Sequence, residues 1–297
     1  MLSRASWDED AVAGDVRDYV TTAFADPDAV LVLDETGDVK KGVATVGVQR
    51  QCFGTAGRIE NSQVAVYLTY AAVRGHALID GALYLPKSWT EDPSRRVRAG
   101  VPDDIEFATK PVLAQRMIVD ALDALDAGVL ASWVAVDEVY GADTALRSAC
   151  QHRGVGYVLA GARNHYVVTA QCRVDALVAG MPTFGWQPLS AGPGSKGPRL
   201  YSWLLINIAS TLPGSEWIMM RCNDSTNELA YYRCWSPHPV PLRTGRQDAR
   251  RDQRGHPVGH RHHSTRSGRG WPWVGRVRRL LPRERQLAAL CKHRHGE

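Results

Sequence analysis

An α/β fold built on a mixed sheet is predicted by three features of the sequence. Two continuous apolar runs, Val30-Leu31-Val32-Leu33 and Trp133-Val134-Ala135-Val136, read as strands buried on both faces, because a strand covered on one face alternates. Each run ends in an acidic pair, Asp34-Glu35 and Asp137-Glu138. The segments around them follow the order strand, hairpin, helix, strand, helix, strand, which suits a mixed sheet flanked by helices.

Taken in order, residues 8 to 24 set Val12, Val16, Tyr19, Val20 and Phe24 near one face of an amphipathic helix. Asp26-Pro27-Asp28 closes it, since the residue before a proline is pushed out of the helical region. The first strand runs to Asp34, where Gly37 offers a turn. Residues 40 to 61 are polar and Gly-rich, which predicts a solvated hairpin and long turn. Residues 64 to 73 and 77 to 85 are dominated by Val, Ile, Tyr and Leu. With the short Arg74-Gly75-His76 turn between them, they form an antiparallel hairpin beside the first strand. Pro86-Lys87-Ser88-Trp89 leads into a polar, Arg-bearing loop that ends near Asp104.

A helix is expected over residues 109 to 127, with Thr109 as cap, Pro111 in the first turn and Gly128 as stop. Leu113, Met117, Ile118, Ala121, Leu122 and Leu125 recur at helical spacing and are core. After the strand at 133 to 136, residues 142 to 152 read as a helix and 155 to 160 as a short strand. Strand-like segments follow at 166–170, 200–208, 217–222 and 229–235, separated by Gly- and Pro-rich turns, and constitute a β-rich insertion.

The chain has 297 residues, 44% hydrophobic and 23% charged, which is ordinary globular composition for one large or two modest domains. Its apolar runs all fall short of the ~20 residues a membrane helix requires, and residues 1 to 10 lack an apolar signal core, so a cytoplasmic protein is expected. Six cysteines, at 52, 150, 172, 222, 234 and 291, include no Cys-x-x-Cys and read as reduced structural thiols. The net charge of +5 is unevenly divided: residues 241 to 297 hold fourteen Arg and one Lys against two Asp and two Glu, or +11, leaving −6 on the 240 residues before them.

The chemistry the sequence suggests lies at the two strand ends. A carboxylate delivered from a buried strand into a cleft suits catalysis or metal binding, and two in matching contexts suggest a shared metal site. An Asp at such a place also serves as a helix cap or turn residue. Two separated carboxylates would equally suit general acid and base work without metal, as in glycoside cleavage. Glu35 and Glu138 follow on the opposite face of each strand and read as supporting or surface groups. In residues 40 to 61, Gly permits close backbone approach and Lys40, Lys41, Arg50 and Arg58 supply charge, a pattern compatible with a loop that approaches phosphates. Lys110 and Lys87 are further phosphate candidates, with a solvated lysine as the alternative.

Four stretches carry a family resemblance: Val32-Leu33-Asp34-Glu35-Thr36-Gly37, residues 47 to 61 (Gly-Val-Gln-Arg-Gln-Cys-Phe-Gly-Thr-Ala-Gly-Arg-Ile-Glu-Asn), Leu83-Tyr84-Leu85-Pro86-Lys87-Ser88-Trp89 and Asp137-Glu138-Val139-Tyr140-Gly141. They resemble the core of a bacterial insertion-sequence transposase of the DDE superfamily, over roughly residues 5 to 240. The resemblance implies a ribonuclease H-like core at 29–163, after a remnant helical segment at 1–28 and before the β-rich insertion at 164–240. It implies that Asp34 and Asp137 are catalytic ligands to Mg²⁺ or Mn²⁺, because hard divalent ions prefer carboxylate oxygens. The implied partner is DNA, as insertion-sequence ends and target, contacted by Lys40, Lys41, Arg50, Arg58 and Lys110. A nucleoid-associated location and a homodimer accord with it; a membrane partner does not.

One part of the pattern is missing. Such enzymes carry a third acid, a Glu, on a helix after the strand that corresponds to residues 231–235, yet no Glu occurs between Glu228 and Glu284. Residues 241–297 are instead an Arg-rich tail without helical apolar period, expected to be disordered. The abrupt change of composition suggests a frameshift near residue 242, and the start is short for the family. An impaired transposase is therefore expected, the alternative being a noncatalytic DNA-binding remnant. His260, His262 and His263, flanked by arginines, read as incidental rather than as a metal cluster, and Glu284 as a poor replacement for the missing acid.

Overall fold

Strand β1 (Val30–Val39) is the centre about which the chain is arranged. The structure, a computed structural model, describes residues 8–52, 59–125, 131–194, 197–210 and 212–238. On one side β1 pairs antiparallel with β3 (Ile59–Ala71), from Val30 opposite Ala71 to Val39 opposite Ser62. On the other it pairs parallel with β5 (Trp133–Val136), with Leu33 opposite Val136. The far edge of β3 carries β4 (His76–Leu83) along one half and the short β2 (Gln49–Cys52) along the other. β6 (Gly156–Gly161) continues parallel to β5. The order β4-β3-β1-β5-β6, an antiparallel meander continued by parallel strands, is the ribonuclease H-like arrangement that the resemblance implied.

The β-rich insertion extends this same sheet. β12 (Leu229–Ser236) pairs antiparallel with β6, and β11 (Ser215–Cys222), β10 (Gly197–Ile208) and β9 (Gln187–Gly194) follow in a meander. β12 thus covers what would be an open edge of β6, satisfying its backbone groups. Residues 166–170, read as one strand, divide into β7 (Tyr166–Val167), which pairs with β8 (Cys172–Arg173) in a separate two-stranded sheet, and a turn of 3₁₀ helix.

Helices α1 (Glu9–Phe24), α4 (Lys110–Leu125) and α6 (Thr144–His152) take part with the sheet in one apolar cluster, through Val20, Ile118, Leu122 and Leu146. Leu31, Leu33, Val134 and Val136 belong to this cluster, whereas Val30, Val32, Trp133 and Ala135 belong to a second on the opposite face. Both sides of β1 and β5 are therefore buried, which is why their sequences are continuously apolar. α4 matches the start and core of the expected helix: Thr109 Oγ1 accepts from Val112 N at 3.4 Å, and Met117, Ile118, Ala121 and Leu122 are buried, while the expected stop at Gly128 lies outside the described residues.

Four readings need correction. The first strand does not end at Asp34 or turn at Gly37: β1 runs on to Val39, with Gly37 opposite Val64, because pairing with β3 continues on that side after pairing with β5 has stopped. The buried face of α1 runs through Arg17, Val20, Thr21 and Phe24, so Val12, Val16 and Tyr19 remain exposed, Tyr19 by 75%. Arg17 lies on this face, where its Nη2 bonds Asp80 on β4 at 3.0 Å. The loop expected to end near Asp104 contains two short helices, α2 (Lys87–Thr90) and α3 (Pro93–Ala99); Asp92 caps α3 and Gly100, with φ of 68°, terminates it. A helix α7 (Val174–Ala179) interrupts the insertion, where Val174 joins Leu204, Ile218 and Met220 in a local core. Expectations for Arg58 and for residues 241–297, Glu284 and the three histidines included, fall outside the described residues.

Candidate functional site

The parallel register of β1 and β5 determines where the two acids lie. Leu33 and Val136 are the last paired residues, and Asp34 and Asp137 each come next. Alternation puts Asp34 on the face of Val30 and Val32, and Asp137, still extended with φ −78° and ψ −177°, on the face of Ala135. The two carboxylates therefore stand side by side where the pairing of β1 with β5 stops, Asp34 within β1 and Asp137 just past the end of β5, both half-buried.

Each carboxylate is held locally. Asp34 Oδ1 accepts from Glu35 N at 2.8 Å. Asp137 Oδ1 accepts from Val139 N at 3.0 Å and so caps the short helix α5 (Glu138–Gly141). The cap and the candidate ligand are one residue, and both roles suggested by the sequence fall on it. Burial raises Asp34 from 3.8 to about 7, with the charges of Asp137 and Glu35 adding to the rise and the backbone N–H of Glu35 opposing it. Asp137 is raised to about 6 by burial and by Glu35, against the N–H groups of Val139 and Tyr140 and the charge of Lys110. Two carboxylates whose ionised forms are disfavoured make a site that a cation would relieve.

Below them, on the helix-covered face, lies a group whose arrangement the sequence did not reveal. Glu35 is only 6% exposed. Its Oε2 accepts from the Tyr140 hydroxyl at 3.1 Å and pairs with Lys110 Nζ at 2.9 Å. Burial and the surrounding acids push the Tyr140 hydroxyl strongly upward, so it stays a neutral donor. Lys110 also lies over the Tyr84 ring, 5.6 Å from its centre. A hydroxyl on the residue three positions after Asp137 was the available signal for Tyr140, and spacing alone gave no reason to pair it with Glu35.

The remaining candidates spread along the β1–β3 end of the sheet. Lys40 pairs with Asp38, and Lys41 and Arg50 are exposed, the latter on β2. The segment bearing them is fastened by Trp89, wholly buried with Nε1 donating to Val48 O at 2.9 Å. Arg95 stacks on the Trp89 ring at 3.7 Å and donates to the carbonyls of Val43 and Val48. Gly47, with φ of 75°, allows the turn, since a Cβ there would come within 2.8 Å of Tyr84 O. Glu138 is exposed and Lys87 lies over Phe107.

The donor set suits a hard divalent ion: Mg²⁺ is commonly held by one or two carboxylates, with waters and substrate phosphates completing its shell. Among the described residues, no group of three or more His, Cys, Asp or Glu side chains is arranged to hold a metal. Nor is any helix among them long and apolar enough to cross a membrane.

Comparison with known proteins identifies the family. Residues 1–196 match a family model described as DDE superfamily endonuclease. A probable transposase for insertion sequence element IS701, from Microchaete diplosiphon, is 26% identical over 167 residues, which is 56% of this chain and 40% of that relative. The match therefore spans well under half of the relative's own length.

Proposed function

We propose, because this chain belongs to the DDE superfamily of endonucleases, that it acts on DNA as an insertion-sequence transposase, with Asp34 and Asp137 as its metal-binding catalytic acids. The observation that carries this reading is the parallel pairing of β1 with β5, which sets two raised carboxylates next to each other. Asp34 and Asp137 would hold Mg²⁺ or Mn²⁺, which when bound lowers the pKa of a water or 3′-hydroxyl and stabilises the departing oxygen of a phosphodiester. The chain itself contributes orientation: Asp137 is fixed by the first turn of α5 and Asp34 by the backbone N–H of Glu35. Lys40, Lys41, Arg50 and Arg58 would steer the DNA backbone toward these acids. Residues 29–163 then form the catalytic core and 164–240 its insertion.

A second reading, an impaired enzyme or a DNA-binding protein without catalysis, is favoured by the sequence alone, in which no Glu lies between Glu228 and Glu284 where the resemblance implies a third acid. Nicking of supercoiled plasmid by the full chain in Mg²⁺ or Mn²⁺ separates these. Nicking that disappears with EDTA and in Asp34→Ala and Asp137→Ala supports the catalytic reading. Nicking indifferent to both substitutions refutes it. Salt-sensitive DNA binding with no nicking, unchanged by either substitution, favours the noncatalytic one.

A further inference from the structure

The hydrogen bond from Tyr140 to Glu35 links residues 105 apart in sequence, each a near neighbour of one of the paired aspartates. Glu35 directly follows Asp34 on β1, and Tyr140 sits on α5, the helix that Asp137 caps. The same Glu35 oxygen takes the ion pair from Lys110, the first residue of α4, whose side chain is 17% exposed. Three elements from different parts of the chain, β1, α4 and α5, thus converge on one buried carboxylate. Stability is a weak explanation for such a group, because desolvating an acid and an amine offsets most of their attraction, and apolar replacements are often neutral. Geometry is a better one. The Lys110 ion pair and the Tyr140 bond together hold Glu35 on the helix-covered face, and the Tyr140 bond restrains the movement of α5 relative to β1.

We propose that Glu35, Tyr140 and Lys110 form a positioning network that fixes the spacing of Asp34 and Asp137 and thereby sets their affinity for divalent metal. The inference rests on the reading of those two aspartates as metal ligands. Groups that orient metal-binding side chains without touching the ion typically change affinity by about 10–100-fold when removed.

The test is Mn²⁺ binding to the full chain, followed by electron paramagnetic resonance of the free ion, together with melting in EDTA. Tyr140→Phe removes one hydroxyl and no ring, so its melting midpoint should stay within about 3 °C of wild type. Its Mn²⁺ affinity should fall about 10-fold or more, and Lys110→Met should weaken binding likewise. Wild-type affinity in a folded Tyr140→Phe protein overturns the network, even if Lys110→Met fails to fold. Asp34→Asn identifies the other failure: if wild type binds no Mn²⁺, or Asp34→Asn binds it equally well, the metal-ligand reading itself is wrong.

Discussion

Neutralising Asp34 should make the metal-free protein more stable at alkaline pH, which is the reverse of the usual effect of altering a half-buried charged residue. Asp34→Asn keeps an oxygen that can accept from Glu35 N and removes only the charge. In the wild type, folding raises this acid from 3.8 to about 7. The folded state therefore binds the proton more tightly than the unfolded chain. The associated stability is fully present below about pH 4 and is lost as pH rises through about 7. At about 1.4 kcal/mol per pH unit, the rise corresponds to an upper figure of about 4 kcal/mol. Solvent access to the half-buried carboxylate reduces this, and we expect about 2 kcal/mol, or about 5 °C in melting midpoint. Thermal melts of both proteins in EDTA, from about pH 5 to about pH 8, check it: the advantage of Asp34→Asn should grow across that window. Added Mn²⁺ should then stabilise the wild type and leave the variant unmoved, because only a binding-competent folded state gains from ligand. A difference that stays flat with pH refutes the reasoning.

Further outcomes follow from other parts of the molecule. Gly141→Ala would place a Cβ 1.7 Å from Ala160 O, and should cost about 3 kcal/mol or more, seen as loss of soluble protein or a depressed denaturation midpoint. Arg233 Nε pairs with the buried Glu216 at 2.6 Å, so Arg233→Ala should cost about 3–5 kcal/mol in urea unfolding. Arg233→Met combined with Glu216→Leu should recover most of that loss, since no uncompensated charge then stays buried. Lys41→Ala and Arg50→Ala should each weaken DNA binding across sequences and lower the slope of log affinity against log salt by about 1, measured by fluorescence anisotropy.

The local pattern of the chain carried most of the fold. The apolar runs at Val30–Leu33 and Trp133–Val136 marked the two inner strands because burial on both faces leaves no room for polar alternation. Thr109, Pro111 and the helical spacing through Leu122 marked α4 because caps and periodicity are properties of neighbours in sequence. Their position directly after those apolar runs also marked Asp34 and Asp137 as a matched pair. Short polar helices such as α2 and α3 were not legible, since four and seven residues give too little period to read. Other features belonged to the tertiary structure. Parallel register, which no local signal encodes, brought the two aspartates level. Lys110, read from sequence as a candidate for DNA phosphate, has its ion pair with Glu35, and Tyr140 joins it from a segment 105 residues distant from that acid. A buried carboxylate must find its partners wherever the fold leaves donors, and those donors are chosen by packing in space, not by order along the chain.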